Sequence, residues 1–122
     1  MARKVLVIDD KRDSNITMSA RLYTHGFDVI SASDGESGFE KARKYLPDFI
    51  LLDTKMQGWS GVETANRIEA DPGTANIPII FLVGTGIESS AANFLIKSDS
   101  HFIFKPLIAK ELLTMISKDF NM

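Results

Sequence analysis

The chain has 122 residues, of which 44% are apolar and 25% charged, with a net charge of -2 at pH 7 and no cysteine. This composition predicts one domain, residues 1–122, and excludes thiol chemistry, disulfides and thiolate metal sites. There is no basic stripe for nucleic acid, no apolar run near the roughly 20 residues that span a bilayer, and no signal-peptide pattern. We therefore expect a cytoplasmic protein that binds neither membranes nor nucleic acid directly.

Strand-like and helix-like segments alternate along the chain. The predicted strands are 5–8, 27–32, 49–52, 79–83 and 102–104, and the predicted helices cover about 14–24, 36–46, 62–68, 88–97 and 108–116. The first, third and fifth strands are short apolar runs closed by charge, which is typical of strands buried on both faces. The second strand is more polar and is predicted to lie at an edge. This alternation with short connections predicts an α/β protein, a doubly wound parallel sheet with helices on both faces.

The helix predictions depend on apolar residues at helical spacing. These predicted core faces contain Met18 and Leu22; Phe39, Ala42 and Leu46; Val62, Ala65 and Ile68; Ala91, Ala92 and Leu95; and Ile108, Leu112, Met115 and Ile116.

Charged residues stand at the ends of three predicted strands. Asp9 and Asp10 follow the first strand, Asp53 follows the third and Lys105 follows the fifth. In a doubly wound sheet, ligands bind beyond the carboxyl ends of the strands. Magnesium accepts carboxylate and carbonyl oxygens, and an aspartate beside it can attack a phosphoryl donor while Lys105 neutralises the phosphoryl oxygens. Each element alone is typical of a loop, but together they predict a magnesium site with Asp53 as nucleophile.

The sequence resembles the receiver domain of two-component response regulators, in the manner of a chemotaxis regulator, from residue 5 to about residue 118. The motifs that carry the resemblance are VLVIDD at 5–10, FILLDTKM at 49–56 with Gly61 eight residues after the aspartate, and FIFKP at 102–106. The resemblance implies a flavodoxin-like (βα)5 fold with the strand order 2-1-3-4-5.

The resemblance also implies a chemistry. Asp53 would accept a phosphoryl group from the phosphohistidine of a sensor histidine kinase or a phosphotransfer protein. Mg2+ would be held by Asp9, Asp10, Asp53 and the backbone carbonyl of Lys55, and Lys105 would contact the phosphoryl group.

The resemblance assigns the output to the surface of the fourth helix, the fifth strand and the last helix, which would contact a downstream domain or protein. Phe102 stands where receivers carry an aromatic switch residue that turns inward on activation. An ordinary core phenylalanine is the competing interpretation of this residue.

Several residues depart from the receiver pattern. Val83 stands at a switch position that usually holds Thr or Ser. Because Val cannot donate a hydrogen bond to a phosphoryl oxygen, the coupling between the phosphoryl group and the switch would be weaker by about 1.5–3 kcal/mol. Thr85 would restore a hydroxyl if the loop 84–86 folded inward; otherwise this is a plain flexible loop. Gln57 replaces a proline, which predicts a less rigid loop. The ammonium of Lys55 would attract phosphate, compete with the cation or simply be solvated.

Three function classes follow. The first is a phosphorylated receiver, a signalling domain that at most catalyses its own phosphorylation and dephosphorylation. The second is a pseudo-receiver interaction module that does not switch by phosphate, suggested by Val83, Lys55 and Gln57. The third is an enzyme or flavin protein, disfavoured because Asp9 and Asp10 are adjacent and the candidate nucleophile follows the third strand. The domain either stands alone, as a monomer or weak dimer, or is cut from a longer regulator.

Overall fold

The computed structural model of the chain describes residues 3–84 and 100–120. The strands are β1 (Lys4–Ile8), β2 (Asp28–Ala32), β3 (Phe49–Asp53), β4 (Ile79–Val83) and β5 (His101–Phe104). The described helices are α1 (Arg12–Thr24), α2 (Gly35–Tyr45), α3 (Gly61–Ala70) and the last helix, labelled α4 (Ala109–Asp119). The helix predicted at 88–97 and the predicted site residue Thr85 lie outside the described residues. None of the helices in the described ranges has the length and apolar character that a bilayer span requires.

The five strands form one parallel sheet in the order β2-β1-β3-β4-β5. This order confirms both the doubly wound architecture and the prediction that the polar second strand is an edge. The central strands β1 and β3 are buried on both faces, as their continuous apolar sequences predicted. Ile8 pairs with Leu52, so the residues that follow these strands lie side by side at the carboxyl edge of the sheet.

Alternating side chains of the strands form two hydrophobic clusters, one on each face of the sheet. On β1, Val5 and Val7 pack in the first cluster with Leu22 of α1 and Ile116 of α4. Leu6 and Ile8 pack in the second cluster with residues of α2 and α3. Each fully buried leucine or isoleucine stabilises the fold by about 1.5–3 kcal/mol relative to leaving it exposed. Helices therefore cover both faces of the sheet.

The structure corrects three burial predictions. β5 is an edge strand on which only Ile103 is buried, and Phe104 is 50% exposed because, in the described part of the chain, no strand pairs on its outer side. Ile108 is also 50% exposed, since it precedes α4 and Leu107 is buried instead. Leu46 is exposed because it caps α2 in the left-handed conformation, at φ 48°, and no longer follows the helical face.

A close backbone approach holds the loop after β3 against the start of α3. The N–H of Gly61 donates a 3.0 Å hydrogen bond to the carbonyl of Thr54. A Cβ on Gly61 would overlap the backbone of Asp53 and Thr54, so a residue with a side chain does not fit here without a shift. Ser60 then caps α3 by accepting the N–H of Glu63 at 3.1 Å. The glycine thus fixes the loop that carries Lys55.

Candidate functional site

The predicted charged residues meet at the carboxyl edge of the sheet. The carboxylates of Asp9, Asp10 and Asp53 each place an oxygen within 4.8 Å of the others. Asp9 and Asp53 are buried to 1% exposure, whereas Asp10 is half-buried. The parallel register of β1 and β3 causes this proximity, since Asp9 follows Ile8 and Asp53 follows Leu52.

Lys105 joins this cluster from β5. Its ammonium lies 3.2 Å from Oδ2 of Asp9 and 3.2 Å from Oδ1 of Asp53. The backbone N–H of Lys105 donates to the carbonyl of Val83 at 2.8 Å, which extends the β4–β5 pairing up to the lysine. The lysine side chain is 19% exposed, so it crosses from the edge strand into a largely buried site. The structure therefore brings together the four side chains that were predicted to converge, Asp9, Asp10, Asp53 and Lys105.

A second lysine, Lys11, enters the same cluster and was not predicted. Its ammonium donates to Oδ2 of Asp53 at 2.7 Å, to Oδ1 of Asp10 at 3.3 Å and to the carbonyl oxygen of Lys55 at 2.9 Å. The one sequence signal was its position directly after the Asp9-Asp10 pair. The side chain of Lys55, by contrast, is exposed and forms no ion pair with a residue in the described ranges.

Both carboxylate oxygens of Asp9 accept hydrogen bonds. Its Oδ1 accepts the N–H of Lys11 at 3.0 Å, and its Oδ2 accepts the hydroxyl of Ser14 at 2.6 Å as well as the Lys105 ammonium. Burial by itself would raise the pKa of Asp9, but the bonds from Ser14 and Lys11 and the charge of Lys105 lower it below its ordinary value. Asp9 is therefore held as a carboxylate and ties the start of α1 to the end of β1.

The electrostatics of Asp53 have the opposite sign. Burial raises the pKa of Asp53, and the charge of Asp9 adds to this, against the hydrogen bond from Lys11 and the charges of the two lysines. For Lys11, burial would lower the pKa of the ammonium, but its bonds to Asp53 and Asp10 raise it overall. Of Asp9 and Asp53, Asp53 is therefore the residue whose ionised form is less stabilised. An additional cation would stabilise that ionised form.

The loop after β3 is tied to Asp10 by its backbone. The N–H of Gln57 donates to Oδ2 of Asp10 at 2.9 Å. A proline has no N–H and could not form this bond. Gln57 in place of the usual proline was expected to loosen the loop. Its backbone N–H instead forms a contact that fixes Asp10 relative to the loop that carries Lys55.

The donor set fits a small divalent cation. Carboxylate oxygens and a backbone carbonyl are the ligands that Mg2+ accepts, and the Lys11 ammonium already lies among Asp10, Asp53 and the carbonyl of Lys55 as a cation in that position. Three carboxylates and two ammoniums leave one net negative charge, so the cluster still attracts a cation.

The proposed switch residues lie beside this site. Val83 is fully buried in the second hydrophobic cluster, at the end of β4. Phe102 is half-buried, packs against the same cluster and meets Phe104 edge to face at 5.5 Å. In this structure Phe102 therefore has the packing of a partly covered core residue.

Comparisons with known proteins agree with the fold. Residues 5–117 match the family described as the response regulator receiver domain. The chain is 30% identical over 116 residues to the phosphate regulon transcriptional regulatory protein PhoB of Escherichia coli strain K12, covering 95% of this chain and 51% of PhoB. It is 32% identical over 105 residues to the response regulator PleD of Caulobacter vibrioides (strain NA1000 / CB15N), covering 80% of this chain and 23% of PleD.

A solved structure, a response regulator receiver domain protein from Clostridium thermocellum, superposes with a TM-score of 0.83 at 27% identity, covering 99% of this chain and 95% of that one. The chain spans about half the length of PhoB and about a quarter of PleD. With the family match extending over nearly the whole sequence, the chain belongs to the response regulator receiver domains of two-component signalling.

Proposed function

We propose that this receiver domain accepts a phosphoryl group on Asp53 from a histidine kinase or a phosphotransfer protein. The observation that carries the proposal is the placement of Asp53 at the end of β3, with Lys105 at 3.2 Å and two further carboxylates within 4.8 Å. A carboxylate with adjacent fixed cations is the arrangement that nucleophilic attack on a phosphoryl group requires.

In the proposed step, an oxygen of Asp53 forms a bond to phosphorus while the phosphorus–nitrogen bond of the donor's phosphohistidine breaks. The electron pair of that bond stays with the imidazole nitrogen, and the imidazole leaves as a neutral ring because its other nitrogen carries a proton. Lys105 pairs with a phosphoryl oxygen, a role open to it because its ammonium already contacts Oδ1 of Asp53.

Mg2+ would be held by Asp9, Asp10, Asp53 and the backbone carbonyl of Lys55. When bound, it supplies positive charge to the phosphoryl oxygens. Asp9 contributes mainly by orienting the site, because Ser14, Lys11 and Lys105 already engage its oxygens. Gln57 contributes by fixing Asp10 through its backbone N–H.

The proposed output surface comprises the segment 88–97, β5 and α4, which would contact an output domain or a separate protein. The half-exposed Phe104 and Ile108 lie on the described part of this surface. We propose a signalling role in the cytoplasm rather than an enzymatic one, either as a single-domain regulator or as part of a longer chain. Its oligomeric state in this proposal is a monomer or a weak dimer.

The pseudo-receiver alternative is not favoured. The charged residues that phosphotransfer needs are present together within the described ranges, and Val83 bears on the response to phosphate rather than on its transfer. Three clustered carboxylates and Lys105 favour a domain that uses phosphotransfer over a module that only binds partners.

The test is phosphorylation by a small phosphodonor, acetyl phosphate, in the presence of Mg2+, read by intact mass. We expect one phosphoryl group on the wild-type protein and on Asp28→Asn, an exposed aspartate at the amino end of β2. We expect none on Asp53→Asn. Absence of modification in the wild-type protein with Mg2+ bound, or unchanged modification of Asp53→Asn, would overturn the proposal.

A further inference from the structure

We propose that Lys11 is a tethered cation that occupies the metal position of this site and has to leave it before Mg2+ and a phosphodonor can enter. The inference rests on the proposed function. It adds a residue outside the predicted set, and it makes metal binding an exchange of one cation for another.

The contacts of the Lys11 ammonium carry the inference. An ammonium has three N–H donors. Those of Lys11 point to Asp53 at 2.7 Å, Asp10 at 3.3 Å and the carbonyl of Lys55 at 2.9 Å, which are three of the four proposed metal ligands. A divalent cation bound to the same oxygens would be too close to this ammonium for both to remain.

Lys11 also covers the nucleophile. Oδ1 of Asp53 is paired with Lys105 and Oδ2 with Lys11, and the Asp53 side chain is only 1% exposed. Both oxygens are therefore engaged, and neither is open to a phosphoryl donor. Removal of the Lys11 ammonium would release Oδ2, whereas Lys105 is the partner that the proposed transfer retains.

The side chain of Lys11 can leave without disturbing the fold. It is 51% exposed, so it reaches the site from the solvent side. Its backbone is fixed separately, because its N–H bonds to Asp9 and its carbonyl accepts the N–H of Asn15 at the start of α1. Rotation about the side-chain bonds is then enough to exchange the ammonium for Mg2+.

This competition has a measurable effect on affinity. Mg2+ binds only the fraction of molecules in which Lys11 is out, so the apparent dissociation constant exceeds the intrinsic one by the reciprocal of that fraction. The loss of even one charge-assisted hydrogen bond corresponds to about a tenfold change in the equilibrium. We therefore expect Lys11→Met to bind Mg2+ at least about tenfold more tightly than the wild-type protein by calorimetry.

The matched control is Lys44→Met. It removes the same charge from an exposed lysine in the last turn of α2, at the opposite end of the sheet from the site. We expect its Mg2+ affinity to equal that of the wild-type protein. Lys11→Met should also unfold more easily in EDTA and regain stability with Mg2+, because its three carboxylates have lost a counter-charge.

A measurement on the wild-type protein makes the test independent of any variant's folding. Amine acetylation by an N-hydroxysuccinimide ester, mapped by peptide mass spectrometry, reports whether the Lys11 ammonium is engaged. We expect Lys11 to become several-fold more reactive when Mg2+ is added, with Lys44 unchanged.

The outcomes separate the two proposals. Equal Mg2+ affinities of the wild-type protein and Lys11→Met, or unchanged Lys11 reactivity in the Mg2+-bound protein, would overturn the inference and leave the proposed function standing. No Mg2+ binding by either protein would overturn the inference together with the metal part of the proposed function.

Discussion

Lys105 and Asp53 form a 3.2 Å ion pair although their strands, β5 and β3, are not neighbours in the sheet. β4 lies between them and ends at Val83, so the Lys105 side chain passes over the end of β4 to reach Asp53. The same ammonium contacts Asp9 at the end of β1. One side chain from an edge strand thus links the ends of both central strands.

Lys105→Met should reduce the free energy of unfolding by about 2–4 kcal/mol, because two buried carboxylates lose a shared cation while Lys11 still pairs with Asp53. Urea unfolding without divalent cations measures the change. Lys110→Met, an equal loss of charge on the exposed face of α4, should leave the stability close to that of the wild-type protein. Equal stabilities of the two variants would contradict the prediction.

Asp9→Asn should show a pH-dependent loss of stability. The folded pKa of Asp9 is lowered from 3.8, so its carboxylate stabilises the fold above pH 3.8 and this contribution disappears as the pH falls through the lowered value. We expect a deficit of about 1.5–3 kcal/mol at neutral pH that shrinks below pH 3.8. Asp53 contributes in the opposite sense, because its folded pKa is raised above 3.8. Ionisation of its carboxylate therefore lowers the stability as the pH rises through this raised pKa.

Urea unfolding over this pH range, without divalent cations, tests Asp9. Asp28→Asn provides the control, because that carboxylate is exposed at the other end of the sheet and its replacement should change little. A deficit for Asp9→Asn that stayed constant into acid would show that the loss arises from packing and not from charge.

Gln57→Pro should weaken the fold relative to Gln57→Ala, which keeps the backbone N–H. The proline variant loses a charge-assisted bond to Asp10 of about 1.5–3 kcal/mol and regains about 0.4–1 kcal/mol through a restricted unfolded chain, which leaves a net loss of about 0.5–2.5 kcal/mol. Chemical unfolding of both variants measures it. A proline variant as stable as the alanine variant would mean that the N–H bond does not hold Asp10.

Val83→Thr introduces, at the end of β4, the hydroxyl that receiver domains usually carry at this position. A hydroxyl placed in the second hydrophobic cluster without a partner costs about 1–3 kcal/mol. Val7→Thr places the same group in the first cluster, as a matched control. With Mg2+ and beryllofluoride, a phosphoryl mimic, we expect Val83→Thr to regain thermal stability and Val7→Thr to gain no more than the wild-type protein. An equal response of the two variants would show that residue 83 does not sense the phosphoryl position.

The central strands and the acidic cluster were predictable because they depend on continuous apolar runs. Strands 5–8 and 49–52 are buried on both faces, and parallel pairing then places Asp9 beside Asp53 without further information. The exposure of Phe104 was not predictable from its apolar run, because it depends on whether another strand pairs beyond β5.

Lys11 and Gln57 show why parts of the site were missed. A lysine in a loop has no periodic pattern, and its contacts depend on three oxygens that only the folded chain brings together. Gln57 acts through its backbone N–H, and the identity of a side chain does not report where its N–H points. Its departure from the receiver pattern identified the position, but only the structure supplied the contact.

The Lys105–Asp9 pair closes a loop of 96 residues, almost the length of the domain. The entropy of closing such a loop has to be overcome before this contact forms, and it forms only when β5 joins the sheet. A chain still emerging from the ribosome, with residue 105 not yet made, would have its three carboxylates without this lysine. The charged cluster is therefore completed only after β5 has been made and has joined the sheet.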